Sequence, residues 1–172
     1  MPFGISSALM KYSERQTKQI ARLKARSEHC LITLSPEFRR RIVVIIRKLE
    51  KDGAIPVVYW GKRTLEQQQE IVKAGHSPGV KSWHIPQHHR NYYHNGIGYT
   101  IYGEAADIVD ARFLWQGPCA DLNHPFWAAL GKYAKEEGLE WGGDWKPPIK
   151  RDVAHVQLKK LLFVQDTRGS VA

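Results

Sequence analysis

The sequence predicts an α+β fold, a small and mostly antiparallel sheet with helices packed on it. Three observations predict it. Helix-period and strand-period segments follow one another in the order α, β, α, β, α, β, β. The strand-like segments are only three to seven residues long, which suits a small sheet. The chain has 172 residues, of which 42% are hydrophobic, enough for one domain with a real core and too apolar for a disordered chain.

Each element has its own signal. Residues 1–30 read as a basic helical leader with few large apolar residues, and residues 31–172 as a single domain. Ser35-Pro36 marks a helix start, a cap followed by proline in the first turn. Residues 37–51 follow with Phe38, Ile42, Val43, Ile45, Ile46 and Leu49 at helical spacing, and Asp52-Gly53 ends the helix. Residues 54–60, AIPVVYW, read as a buried strand with an irregular or edge start at Pro56. After Gly61 to Thr64 a helix over 65–74 is stopped by Gly75, and 76–103 is a polar, aromatic loop region. Residues 104–110 form the next strand. Residues 125–137 form an amphipathic helix that buries Phe126, Trp127, Leu130 and Tyr133 and stops at Gly138. Short strands at 139–141 and 154–158 flank a structured loop containing Trp141-Gly142-Gly143-Asp144-Trp145.

Composition excludes several classes. The longest apolar run of the first half, Ile42 to Ile46, is far short of the roughly 20 residues of a membrane span. The N-terminus lacks the apolar stretch of a signal peptide, so synthesis in a cytoplasm without a stable membrane anchor is expected. Cys30 and Cys119 stand far apart and outside any CxxC pair, which fits free thiols and rules out a cysteine-based zinc site. The net charge of +9 favours an anionic partner. It is concentrated at the ends. Residues 1–30 carry six basic and two acidic side chains. Residues 146–172 carry Lys146, Lys150, Arg151, Lys159, Lys160 and Arg168 against Asp152 and Asp166, so each end contributes +4. No nucleic-acid recognition motif is visible, and nucleic acid is not the expected partner.

Among eight histidines no HExxH helix occurs. Two patterns are more informative: Ser82-Trp83-His84 followed by Gly103-Glu104-Ala105-Ala106-Asp107, and Asp152-Val153-Ala154-His155-Val156-Gln157. A catalytic zinc needs three protein ligands and an open position, and two histidines with one carboxylate meet that need: His84, Asp107 and His155. A further carboxylate must take a proton from water beside the metal, and Asp152 fills that role if the chain turns between residues 152 and 155.

These residues, SxH…GxAxD followed by DxxH, resemble the VanY-like zinc peptidases, D-alanyl-D-alanine carboxypeptidases and, more closely, the L-alanyl-D-glutamate endopeptidases among bacteriophage endolysins. Gly61-Lys62-Arg63-Thr64 with Gln67 and Gln68 resembles the family's GxRT segment and its helix, and Trp141 to Trp145 resembles the segment before the final ligand. The likeness runs from about Glu37 to Leu158. It implies a Hedgehog/DD-peptidase-like zinc peptidase fold, Zn2+ held by His84, Asp107 and His155, and Asp152 as general base. It also implies that Arg63 binds or polarises the attacked carbonyl and that Ser82 orients substrate or a ligand. Two departures stand out. Residues 85–102 lengthen the segment between first histidine and aspartate and bring His88, His89 and His94 as rival ligands. Gln157 stands where relatives often carry Glu, an uncharged support for the last ligand.

The alternatives differ residue by residue. Arg63 could form a surface ion pair. Trp141 and Trp145 either line the cleft or pack beneath it. Asp144 shapes its loop or offers a second base, the former being favoured. The expected function is a phage-type endolysin that hydrolyses the L-alanyl-D-glutamate bond of peptidoglycan, acting as a monomer on the wall after release from a host cytoplasm. D-alanyl-D-alanine carboxypeptidase is the alternative within the family, and a non-catalytic wall-binding module the alternative outside it. The terminal charge then reads as attraction to the anionic wall.

Overall fold

A computed structural model describes residues 12–77, 79–86 and 102–159. The rival ligands His88, His89 and His94, most of the 85–102 segment, Lys11 and the terminal Lys160, Asp166 and Arg168 lie outside the described residues. The described part is α+β: helices α1 (Glu14–Ile32), α2 (Pro36–Lys51), α3 (Leu65–Lys73) and α4 (Pro125–Glu136), with strands β1 (Pro56–Trp60), β2 (Ala105–Asp110), β3 (Leu139–Trp141) and β4 (His155–Leu158). A short 3-10 turn at Gly117–Ala120 was not foreseen. No helix among the described residues is long and apolar enough to cross a membrane.

The strands form one antiparallel sheet in the order β1-β2-β4-β3. The sequence His155-Val156-Gln157-Leu158 alternates polar and apolar, and a strand sends successive side chains to opposite faces. Register shows where each face lies. Val156 pairs with Ala106 and Trp141, Leu158 with Leu139, and Val58 with Ile108, all buried. This apolar face meets α2 and α4, which bury Phe38, Ile42, Ile45 and Leu49, and Phe126, Trp127, Leu130 and Ala134. The other face pairs His155 with Asp107 and Gln157 with Ala105 and Glu140. Polar side chains thus converge on one side of a sheet whose other side is the core.

α1 runs across the boundary expected at residue 30 and packs along β1. Its Ser13 and Gln16 form a capping box, as Thr64 and Gln67 do at α3. Ser35 stands at the α2 N-cap position, but its hydroxyl makes no capping bond, so Pro36 sets the helix start. The stops read from Gly53, Gly75 and Gly138 coincide with positive φ of 87°, 76° and 72°, conformations that glycine adopts without Cβ strain. Trp141 is held between Gly131 of α4 and Gly143, where a Cβ at either glycine would enter the indole ring.

Candidate metal centre

The site assembles from four chain segments at the polar face of the sheet. His84 sits in a turn whose start is tied down by Ser82, whose hydroxyl accepts the His84 backbone N–H at 3.3 Å. The His84 carbonyl accepts the Arg63 N–H at 2.9 Å, fastening this loop to the end of β1. Asp107 lies mid-strand in β2, opposite His155 at the start of β4. The step from Asp152 to His155 is a tight turn in which the His155 N–H reaches the Asp152 carbonyl at 3.3 Å. The turn required by that spacing is therefore present, and it brings both residues to one end of the sheet. Trp141 steadies it from below, donating its indole N–H to the Val153 carbonyl at 2.8 Å.

The donor atoms converge. One atom each from His84, Asp107 and His155 lies within 4.8 Å of the others, all three residues being buried. His84 Nδ1 is 2.6 Å from the Gly61 carbonyl oxygen. That oxygen only accepts, so Nδ1 carries the proton and Nε2 is left with its lone pair. His155 Nε2 is likewise 2.9 Å from Gln157 Oε1, which leaves Nδ1 as the bare nitrogen. Both bare nitrogens face the same acceptor, Asp107 Oδ1, at 3.2 and 3.1 Å. Three acceptors pressed together repel unless a cation lies among them. The donor set and its fixed tautomers therefore fit a divalent metal ion of the imidazole-binding kind.

Without metal, protons must serve that purpose. Burial resists charge on His84 and outweighs the pull of Asp107, so its pKa is lowered. Burial also resists charge on His155, but the hydrogen bond and charge of Asp107 prevail and raise its pKa. Burial alone would raise the Asp107 pKa, yet the two histidines hold its carboxyl well below the usual range. Asp152 is raised, first by desolvation and then by the charge of Asp107.

Arg63 is 7% exposed and is no surface ion-pair residue. Its Nη2 donates to Asp107 Oδ2 at 2.5 Å and its Nη1 to Gln68 Oε1 at 3.2 Å. It thus fixes the rotation of the Asp107 carboxylate and leaves Oδ1 to the histidines. Gln68 is fully buried and donates in turn to Ser77 Oγ at 3.0 Å and the Gly79 carbonyl at 2.9 Å. Of the Gln67-Gln68 pair, then, Gln67 caps a helix and Gln68 supports the site. Two residues were not singled out from sequence for the site. Trp60 pairs with Asp107 across the sheet, and the Gly61 carbonyl sets the His84 tautomer.

For Trp141 and Asp144 the geometry agrees with the packing and loop-shaping alternatives. Trp141 does not line a cleft: it is 7% exposed and packs beneath the site, because its ring fills the space between two glycines. Asp144 does not reach the cluster. It is exposed and pairs with Lys135 at 3.0 Å, since the short 3-10 turn at Gly142–Asp144 swings it to the surface. Of Trp141 and Trp145, it is Trp145 that stands at the site, 5.0 Å from the His155 ring and tied by its N–H to Glu140 at 2.6 Å.

Comparison with known proteins agrees with this geometry. The family model of D-alanyl-D-alanine carboxypeptidases matches residues 93–158, a stretch holding Asp107, Asp152 and His155. The L-alanyl-D-glutamate peptidase of Listeria phage A118 is 30% identical over 126 residues, 72% of this chain. The chain spans 37% of that relative's length. The crystal structure of the Serratia marcescens L-Ala D-Glu endopeptidase ChiX is similar with a TM-score of 0.50 and 27% identity, covering 79% of this chain and 88% of that one. The expected motifs gather at one end of an antiparallel sheet, and the chain is similar to D-alanyl-D-alanine carboxypeptidases and L-alanyl-D-glutamate endopeptidases.

Proposed function

We propose that this protein is a zinc-dependent peptidoglycan peptidase that hydrolyses the L-alanyl-D-glutamate bond of the stem peptide. One observation carries the reading: three metal-binding atoms are held in fixed tautomers and rotamers, with a separate carboxylate, Asp152, at the same end of the sheet. His84 Nε2, Asp107 Oδ1 and His155 Nδ1 would hold the ion. Zinc, when bound, supplies a Lewis acid that polarises a carbonyl and lowers the pKa of water. Asp152 accepts the proton of the attacking water and returns it to the leaving amine. Arg63 fixes Asp107 through their ion pair and adds a positive charge to this end of the sheet, which would favour negative charge developing on an attacked carbonyl there.

The choice of bond rests on the printed names of the phage and Serratia relatives, and the phage relative also supports an endolysin that is made in a host cytoplasm and acts on the wall after release. The description of the matched family favours a second reading, removal of the terminal D-alanine. Peptidoglycan is the proposed partner of a monomer. Arg15, Lys18 and Arg22, exposed along α1, would contribute attraction to an anionic wall.

Turnover of defined soluble muropeptides, with products assigned by mass spectrometry, tests this. We expect cleavage after L-alanine, loss of activity on chelation and its return with zinc. Asp152→Asn should retain zinc and lose activity by about 10²–10⁴-fold. Release of D-alanine would establish the second reading. Stoichiometric zinc without turnover of any muropeptide would overturn both in favour of a binding module.

A further inference from the structure

The pairing of β1 with β2 slips by one residue at Tyr59: Val58 stands opposite Ile108 but Trp60 stands opposite Asp107. In an unbroken strand Trp60 would share the core-facing side of Val58. The bulge turns it instead to the face of Asp107. α1 occupies the backbone groups that this irregular outer strand leaves open. Arg26 Nε donates to the Tyr59 carbonyl at 2.7 Å, Cys30 Sγ approaches the same oxygen at 3.8 Å, and Ser27 Oγ accepts the Val58 N–H at 2.8 Å.

The Trp60 ring carries two guanidiniums, Arg26 with its Cζ 4.6 Å from the ring centroid and Arg63 at 5.0 Å. Arg63 needs such a partner. It is 7% exposed, and its buried Nε has no hydrogen-bond partner among the described residues. The indole face offers a cation the electrostatic contact that water would otherwise give.

We propose that Trp60, aimed by the bulge that α1 holds in place, is a positioning residue for Arg63 and through it for the metal-facing carboxylate of Asp107. The contacts run Arg26, Trp60, Arg63, Asp107, so the N-terminal helix belongs to the framework of the site. This rests on reading His84, Asp107 and His155 as a zinc site.

Trp60→Ala, Trp60→Phe and Arg26→Met in the full chain test it. Zinc affinity is measured by competition with a chromophoric chelator, kcat and KM on a soluble muropeptide, and folding by circular dichroism. Trp60→Ala should bind zinc about 10-fold more weakly, the effect of losing an outer support of a metal ligand, and lose kcat with KM nearly unchanged. Trp60→Phe should restore most of both. Arg26→Met should weaken zinc by about 3-fold, the worth of a partly exposed cation–π contact. Wild-type zinc affinity in folded Trp60→Ala, or a rise in KM alone, as for a ring that merely receives substrate, would overturn the proposal. If Trp60→Ala does not fold, unchanged zinc affinity in Arg26→Met overturns it. A wild-type chain that binds no zinc would strike down the zinc site itself, a result distinct from weakened binding in the variants alone.

Discussion

Replacing Gly142 by alanine tests how closely the final loop holds the reacting groups. The Gly142 backbone lies outside the positive-φ region, so only space decides the outcome. A Cβ there would stand 2.5 Å from the Asp152 carbonyl oxygen, 3.1 Å from His155 Cβ and 3.2 Å from Trp145 Cζ3. Ordinary contact begins at 3.4 Å, so in a close-packed interior the Asp152 peptide must retreat by about 0.9 Å. The preceding peptide is tied to Gly142 by the Asp152 N–H, 3.0 Å from the Gly142 carbonyl, and the Asp152 carbonyl itself accepts the His155 N–H at 3.3 Å, so it cannot move alone. A displacement near 1 Å in a catalytic group costs about 10²-fold in rate, or about 2.7 kcal/mol of barrier. Overpacking should itself cost about 1–3 kcal/mol of stability, which lowers Tm by about 2–4 °C for each kcal/mol in a chain of this size. The assay is kcat/KM of the zinc-loaded variant on a soluble muropeptide, with Tm measured alongside. Activity within threefold of wild type would refute the reasoning, as would a loss matched by the unfolded fraction at assay temperature.

Other consequences are open to direct measurement. Gln157→Leu removes the acceptor of His155 Nε2 and should weaken zinc by about 10–100-fold, while Gln157→Glu should not; equal affinity in all three chains would refute the tautomer argument. Tyr133 donates to Asp52 at 2.6 Å, and this bond, with burial second, pushes its pKa to about 12. Because the folded pKa lies above the unfolded value of about 10, the contribution is complete below that pH and is lost as pH rises towards 12. Absorbance titration of the seven tyrosines should show a step near 12 that Tyr133→Phe deletes, and an identical titration in the variant would contradict this. Added salt should weaken wall binding through screening and leave turnover of small muropeptides nearly unchanged; equal sensitivity would count against a charge-based attraction.

Much of the fold was legible because it follows from local periodicity. β4 is the clearest case, since its polar-apolar alternation names both the site face and the core face before any partner strand is known. The ligand set was legible for a different reason: imidazoles and a carboxylate in the stated order point to one chemistry, and the Asp152–His155 spacing demands a turn. Trp60 was hidden because its orientation depends on a one-residue slip against β2, and register is a property of two strands. The support given by Gln68 was hidden because α3's neighbours decide which polar side chain is buried, and its partner Arg63 lies in the loop before the helix. Asp144 stayed open between two roles in the sequence because its motif neighbours are at the site, whereas a short turn carries the carboxylate away to Lys135.

The indole of Trp141 and the bare Cα positions of Gly131 and Gly143 form a single space-filling unit that joins α4 to the turn after β3. Gly131 and Gly143 are thus a statement about volume, and any chain that exchanges Trp141 for a smaller residue gains room for side chains at 131 and 143. Relatives should vary at these three positions together, with bulk traded among them. Because Trp141 also holds the Val153 carbonyl, such an exchange would reach the turn between the base and the last ligand without touching either one.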